Sequence, residues 1–482
     1  MEKFNVVIVG GGSAGLMVAA GAVGLGAKAA LVEARKMGGD CLNVGCIPSK
    51  TRISTANLAA SMARGGQGIG AGRPDFSWGS VAGRVQSAID AIAPHDSVER
   101  FEGLGVEVFL GRGKLLSPTR VEVRLENGSS RTLDSRSIVI ATGSSPAVPP
   151  IPGLEESGYQ TNETVFTMGV QPRRLLVLGG GPIGSELAQS FARLGSRVTL
   201  VELLPRILPR EDADAAGEVA QALREDGVEL LTETRLARVE REGDVKRAVL
   251  QAATGSFRAE RSVEVDEILV ATGRRLNLAG LGLEEAGVEY DGTGVRVDRR
   301  LATTARSVFA CGDVVGEHLF THMANQQARV VIQNALLPFK TRMDYRVVPW
   351  CTFTDPELAR VGLSEAEAEA RGIPCRAIRI PFAGIDRAVC EGNTRGFLKV
   401  LTPPGRDVIL GATLVGAHAG DLIHEIVLAM EARIGLNGLA RMIHIYPTRA
   451  EVFRRAGDEA RKAGFTPRLQ RLFKAYLRWQ RR

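Results

Sequence analysis

Apolar and polar positions along this chain fall into blocks that read as strand, glycine-rich turn and helix, and one such block occurs twice. Phe4 to Val9 is a short β-branched run of the fully buried kind; it leads into Gly10-Gly11-Gly12-Ser13-Ala14-Gly15, and a second apolar run, Ala29 to Val32, ends in Glu33. Arg174 to Leu178 leads in the same way into Gly179-Gly180-Gly181-Pro182-Ile183-Gly184, and Arg197 to Val201 is followed by Glu202. Strand, turn, helix and terminal acid together make the dinucleotide-binding pattern. Glycines let the backbone approach a pyrophosphate, the helix N-terminus stabilises its charge, and the acid bonds a ribose hydroxyl. Gly10, Gly12, Gly15 and Glu33 are therefore candidate contacts of one dinucleotide, and Gly179, Gly181, Gly184 and Glu202 of another. Two such sites in one chain point to a flavin used together with a nicotinamide. Glu202 favours NADH over NADPH, since an acid there repels a 2′-phosphate, although Arg206 leaves NADPH open.

Two further apolar runs, Ile138 to Gly143 and Ile268 to Gly273, close on small-residue turns of the sort that return a sheet to a bound nucleotide, which adds Gly143 and Gly273 to the candidates. Ser307 to Asp313 is again an apolar strand but ends in an acid, and Asp313 is placed to accept a bond from a ribityl or ribose hydroxyl. From about Arg342 the texture changes. Strands at Val347 to Thr354, Ala377 to Phe382, Gly396 to Thr402 and Val408 to Gly416, with a helix from about Asp421 to Ala432, predict an α+β module without a phosphate loop. Dimerisation and completion of a site are its expected roles.

A length of 482 residues allows roughly three domains, each with its own core. Six scattered cysteines fit a reducing compartment, and Met1 to Asn5 run directly into Val6 to Val9 without the basic segment and apolar core of a signal peptide, so a cytoplasmic location is expected. Gly15 to Val32 is apolar but contains four glycines and Lys28, which excludes it as a membrane span. The net charge of +7 is concentrated at one end: residues 458–482 hold eight basic residues against two acids, leaving the rest almost neutral. No basic body remains to lie along a nucleic acid.

The candidate chemistry lies in Gly38-Gly39-Asp40-Cys41-Leu42-Asn43-Val44-Gly45-Cys46-Ile47-Pro48-Ser49-Lys50. Two cysteines five positions apart on a regular helix are separated by about 500° and roughly 7.5 Å of rise, too far for a disulfide, so the turn between them must open. Gly45 and Pro48 would permit that. In a reducing compartment this shape suggests thiol-disulfide chemistry; a structural disulfide, half of a metal site and two unrelated core cysteines are the other readings of the pair alone. His95, His318, His418 and His424 show no metal-ligand spacing, and no resident metal is expected.

With these segments placed, the chain resembles the FAD-dependent pyridine nucleotide-disulfide oxidoreductases over residues 1 to about 457. The segments carrying the resemblance are Gly10 to Gly15, Gly39 to Lys50, Ala141 to Gly143, Gly179 to Glu186, Ala271 to Gly273, Ala310 to Asp313, Asp355-Pro356-Glu357 to Gly362, and Tyr446-Pro447-Thr448 to Glu451. The resemblance implies an α/β chain with two Rossmann-like dinucleotide-binding domains and a C-terminal α+β dimerisation domain. Residues 1–148 and 274–341 would bind FAD, residues 149–273 NAD(P), and residues 342–457 would form a homodimer whose subunits complete one another's sites. It further implies that Cys46 is the thiol beside the flavin and Cys41 the thiol facing a small thiol-reactive substrate, with Lys50 and Glu186 paired near the flavin ring.

One departure is informative. Most of the family has His-Pro-Thr-x-x-Glu near the C-terminus, the histidine serving as acid/base and the glutamate orienting it; here the histidine position is Tyr446, followed by Glu451. A phenol with an ordinary pKa near ~10 is a poor base at neutral pH. Mercuric reductases within the family share that tyrosine, and the wording is also similar in Glu186 to Ser196 and in Asp386-Arg387-Ala388 through Thr394 to Phe397, although no cysteine follows Cys390. Hg(II) needs thiolates more than a proton shuttle, so it is the expected substrate. A dihydrolipoyl-type or other disulfide substrate is the alternative, with His444 as a second candidate base. A regulatory or membrane-docked flavoprotein with weak thiol turnover is the alternative of another class. The tail, residues 458–482, is read as a basic amphipathic helix that either packs on the protein or meets a membrane.

Overall fold

The computed structural model describes residues 3–72, 74–243, 245–253, 260–465 and 467–481. The chain forms two compact units, one of Met1–Ala59, Pro74–Val201 and Thr234–Tyr345, the other of Ala60–Arg73, Glu202–Glu233 and Arg346–Arg482.

In the first unit Lys3–Val9 lies between Ala29–Glu33 and Ser130–Ile140 and pairs parallel with both, Val7 standing opposite Ala30 on one side and Ile138 on the other. Val106–Ser117 extends this sheet parallel to Ala29–Glu33, Val308–Ala310 extends it parallel to Ser130–Ile140, and Arg120–Leu125 pairs antiparallel with both long strands. Val6 to Val9 are buried on both faces, the reason this strand reads as a continuous apolar run rather than an alternating one. Parallel neighbours need a crossover, and the helix Ser13–Gly24 supplies the first. The arrangement repeats at Arg174–Leu178, which pairs parallel with Glu267–Val270 and Arg197–Val201 around the helix Pro182–Arg193. An antiparallel layer of Thr234–Glu242, Val245–Ala252 and Glu260–Val265 completes the unit.

The second unit is built on an antiparallel sheet in the order Pro349–Thr352, Glu357–Gly362, Gly411–Gly416, Phe397–Thr402, Arg376–Pro381. Its core joins Leu398, Val400, Ala412 and Leu414 of the sheet to Ile426, Leu436, Val452 and Phe453 of the helices. The single helix expected over 421–432 is two, Ala419–Leu422 and His424–Glu431, parted at Ile423, whose ψ of −21° tightens the turn. The strand expected from Val347 begins only at Pro349, whose missing N–H suits a strand's first residue. The architecture is the expected one: two Rossmann-like, mainly parallel sheets and a C-terminal α+β module.

Candidate active site

The first glycine turn is a cradle that side chains would fill. Gly10 has φ +114°, and a Cβ on it would stand 2.3 Å from the carbonyl oxygen of Ala141; a Cβ on Gly15 would stand 1.8 Å from the oxygen of Gly10. Only glycine lets the strand, the turn and the returning strand approach this closely. The helix Ser13–Gly24 opens at Gly12 with no side-chain cap and no acid in its first turn, so its N-terminal N–H groups and dipole are left for an anion. Glu33 is tied to the turn, its carboxylate accepting from the N–H of Gly11 and of Arg35, both at 2.6 Å. Asp313 accepts from the Ser144 hydroxyl, and burial holds its carboxyl above the usual range against that bond and the nearby Arg274. Gly143 stands at φ +67° beside this network. Bare helix end, glycine cradle and flanking acids fit a dinucleotide such as FAD.

The cysteine segment is fastened to this cradle. The N–H of Gly38 donates to the oxygen of Gly11 at 2.9 Å. A Cβ on Gly39, which has φ +58°, would lie 2.7 Å from the Cα of Gly12. The short helix Gly39–Asn43 carries Cys41 and ends at Val44, and a new helix, Cys46–Arg64, starts at Cys46. The turn between the cysteines is thus opened as the spacing required. Pro48 does not do the opening; it sits in the first turn of the new helix, where its missing N–H has no partner to lose. Asn43 pins the short helix through bonds to the oxygens of Met37 and Gly39, at 3.0 and 2.8 Å, and Asn162 holds the oxygen of Val44 at 3.2 Å. Arg274 anchors Asp40, the residue before Cys41, and bonds the Ser144 hydroxyl at 2.6 Å.

Both cysteines are thiols, Cys46 exposed and Cys41 half-buried. They are not equivalent. The hydrogen bond between them, helped by Thr321 and the charge of Lys50 and opposed by the desolvation of its sulfur by surrounding atoms and by Glu186, pushes the Cys46 thiol down to about 6, although the residue as a whole is exposed. The same bond, reinforced by burial, drives Cys41 far up. Cys46 is also the first residue of its helix, where the dipole favours a thiolate. Thr321 Oγ1 lies 3.6 Å from its sulfur. One turn along the helix, Lys50 Nζ donates to Glu186 Oε2 at 2.7 Å.

The second turn repeats the first. Gly179 has φ +106°, with a Cβ 2.5 Å from the oxygen of Ala271, and a Cβ on Gly184 would meet the oxygen of Gly179 at 1.9 Å. Gly181 opens the helix Pro182–Arg193, again without a side-chain cap or an acid in the first turn. Gly273 follows the strand Glu267–Val270 at φ +142°. Glu202, buried at the end of Arg197–Val201, accepts from the N–H of Leu204 at 2.9 Å.

In the second unit Tyr446 is exposed, and its hydroxyl donates to Asp386 Oδ2 at 2.9 Å. That bond and the carboxylate's charge hold the phenol above its usual range. Glu451 does not meet the Tyr446 hydroxyl; it accepts from Arg454 and Arg455 at 2.8 and 3.1 Å. His444, the second candidate base, has Nε2 2.8 Å from Glu425 Oε1 and Nδ1 3.3 Å from the oxygen of Met442, so both ring nitrogens face oxygens of its own unit. Asp212, Asp214 and Glu365 are close enough together to hold a metal, but the ammonium of Lys399 sits among them at 2.9, 2.7 and 2.5 Å.

Residues 4–328 match the family described as pyridine nucleotide-disulphide oxidoreductase, and residues 348–457 match that family's dimerisation domain. The chain belongs to this family. It is accordingly an FAD-dependent, NAD(P)H-dependent oxidoreductase, and its dimerisation domain supports a homodimer. Among relatives, a dihydrolipoyl dehydrogenase of Thermus scotoductus is 36% identical over 96% of this chain and 98% of its own. A mercuric reductase of Streptomyces lividans is 33% identical over 94% of this chain and 96% of its own. Among solved structures, a Cu(II) complex of the HOCl-induced flavoprotein disulfide reductase RclA from Escherichia coli superposes with a TM-score of 0.84 at 29% identity, covering 95% of this chain and all of that one. LpdA from Mycobacterium tuberculosis gives 0.86 at 28%, over 95% and 99% of the two chains.

Sequence reasoning missed the partners that give these residues their character. Thr321, Asp386, Glu425 and Arg274 each reach their target across many residues, and no local spacing announces them. Cys390 closes the helix Asp386–Cys390 that presents Asp386.

Proposed function

We propose that the enzyme passes electrons from NAD(P)H to the Cys41/Cys46 pair and on to Hg(II), by the net reaction NAD(P)H + Hg(II) → NAD(P)+ + Hg(0) + H+. When bound, FAD supplies the two-electron carrier between nicotinamide and thiols. Gly10 to Gly15, Glu33, Gly143 and Asp313 would hold it, and Gly179 to Gly184, Gly273 and Glu202 would hold the nicotinamide dinucleotide. Residues 1–148 with 274–341, 149–273 and 342–457 are the corresponding FAD, NAD(P) and dimerisation domains in this reading. Cys46 contributes the ready thiolate and Cys41 the second soft ligand; Lys50, ion-paired with Glu186, keeps a cation within one turn of Cys46. The sparse cysteines fit a cytoplasmic, reducing setting.

One observation carries the choice of acceptor. Tyr446 stands where a base would be needed for a dithiol, and Asp386 holds its phenol protonated to still higher pH, so even less phenolate is available to take a proton. His444 has both ring nitrogens facing oxygens of its own unit, Glu425 and the carbonyl of Met442, which disfavours it as a replacement in this reading. The Cu(II) complex of RclA is a further instance of a thiophilic metal on a relative. The test is NAD(P)H oxidation measured side by side with Hg(II) plus excess thiol, Cu(II), lipoamide and a dye. Hg(II) should give the fastest thiol-dependent turnover, Tyr446→His should raise lipoamide or disulfide reduction, and Tyr446→Phe should harm Hg(II) reduction more than dye reduction. Turnover of dihydrolipoamide by the unaltered enzyme at tens per second or above, ordinary for an enzyme, would replace this reading with a dihydrolipoyl dehydrogenase.

A further inference from the structure

The helix Pro467–Trp479 buries none of its residues, whereas the helix before it, Glu451–Gly464, places Val452, Phe453 and Ala456 in the core. Its exposed apolar surface is large for so short a segment: Leu472 is 66% exposed, Trp479 69%, and Phe473, Tyr476 and Leu477 about half. At about 100° per residue these five side chains span an arc of roughly 160° on one side. Arg468, Arg471, Lys474, Arg478 and Arg481 occupy the opposite side, and no acid interrupts them between 467 and 481. Trp479 stands at the border of the two faces, and its ring lies 6.0 Å from that of Tyr476.

We propose that this terminal helix docks the enzyme on an anionic lipid surface, lying in the interface with its apolar face down. Two independent features select lipid as the occupant. A nucleic acid would use the basic face but leave the aliphatic and aromatic face in water, and an apolar groove on a protein would use the second face but gain nothing from five unpaired-sign charges. An anionic bilayer surface takes both, with aromatic rings at the headgroup level and cations over the phosphates. No helix among the described residues is long and apolar enough to cross a membrane, so the contact is peripheral.

The experiment is co-sedimentation of the full-length, flavin-loaded enzyme with vesicles of phosphatidylglycerol and phosphatidylcholine, and with phosphatidylcholine alone. Binding should require phosphatidylglycerol and weaken as salt is added. Arg471→Gln with Arg478→Gln should lower partitioning roughly 30-fold, two charges at about 1 kcal/mol each. Leu472→Glu with Leu477→Glu, at exposed positions whose change leaves the fold intact, should abolish binding, as should deletion of residues 467–482, with NAD(P)H-to-dye activity retained in both. Equal binding to neutral vesicles, no binding at all, or conversion of the dimer to monomer by the deletion would overturn the proposal, the last by showing that the helix packs on the partner subunit.

Discussion

The two glycine cradles are nearly the same object. Their first glycines stand at φ +114° and +106°, and their third glycines come within 1.8 and 1.9 Å of a carbonyl oxygen by the position of an added Cβ. They differ in what is attached. Gly12 of the first meets the backbone of Gly39, so the loop bearing Cys41 is locked on it, whereas an added Cβ on Gly181 of the second meets nothing within 4 Å. One cradle is fused to a redox centre and the other is left open. A duplicated element thus acquires two duties through one extra contact rather than through its own geometry.

The comparison breaks most severely at the buried glycines. Gly15→Ala should yield protein without flavin, because strand and helix must separate to admit the methyl group, an overpacking of about 1–3 kcal/mol or more concentrated on the binding turn. Gly184→Ala should keep the flavin absorbance and lose its bleaching by NAD(P)H, and Gly181→Ala should retain both. Flavin content and anaerobic bleaching decide the matter, and flavin loss from Gly184→Ala would show that the two cradles do not act separately.

A smaller effect separates the acids. Glu33 turns back onto Gly11 and Arg35, and Glu202 onto Leu204. NADH should have the higher kcat/KM, and Glu202→Ala should narrow the gap while Glu33→Ala leaves the ratio unchanged. A tenfold preference of the unaltered enzyme for NADPH, about 1.4 kcal/mol in transition-state binding, contradicts this assignment.

The cradles, the opened turn and the family's segments were legible in the sequence because each is a local pattern: glycines at fixed spacing after a β-branched run, or two cysteines too far apart for one helix. What could not be read is whatever joins distant segments. Thr321 helps lower the Cys46 thiol, Asp386 raises the Tyr446 phenol, and Glu425 engages His444, each from a distant segment. The division of the helix expected over 421–432 is a local feature that the pattern also hides, since a single tightened residue at Ile423 leaves the apolar periodicity almost unchanged.

Thiol reactivity sharpens the picture further. Alkylation of Cys46 in the reduced enzyme by iodoacetamide should rise through a midpoint near 6. Lys50 favours the thiolate and Glu186 opposes it, so Lys50→Met should move the midpoint up and Glu186→Gln should move it down. A shift of one unit changes the rate below the midpoint about tenfold. Mass spectrometry of the modified peptide identifies the sulfur, and a midpoint near that of an ordinary thiol would remove Cys46 as the ready nucleophile.

The smallest effect concerns the other cation on the same helix. Two residues beyond Lys50, Arg52 is fully buried, with the rings of Trp78, Phe166 and Phe191 at 5.1, 4.8 and 5.1 Å. One nitrogen donates to the oxygen of Val165 at 3.2 Å, and Nε and Nη1 have no hydrogen-bond partner among the described residues. Burial pulls its guanidinium down to about 10. A desolvated cation facing three rings gains ~2 kcal/mol per good contact, set against a desolvation penalty of several kcal/mol. These terms nearly cancel, so Arg52→Met, which keeps the volume, should change unfolding stability by about 1 kcal/mol or less, whereas Arg52→Ala should lose about 2–4 kcal/mol by leaving a cavity. Because the Arg52 charge is not among the leading influences on the Cys46 thiol, Arg52→Met should also leave the alkylation midpoint in place, in contrast to Lys50→Met. Urea unfolding together with the alkylation profile distinguishes the two cations, and a midpoint that moves with Arg52→Met would mean that the caged charge acts on the thiol after all.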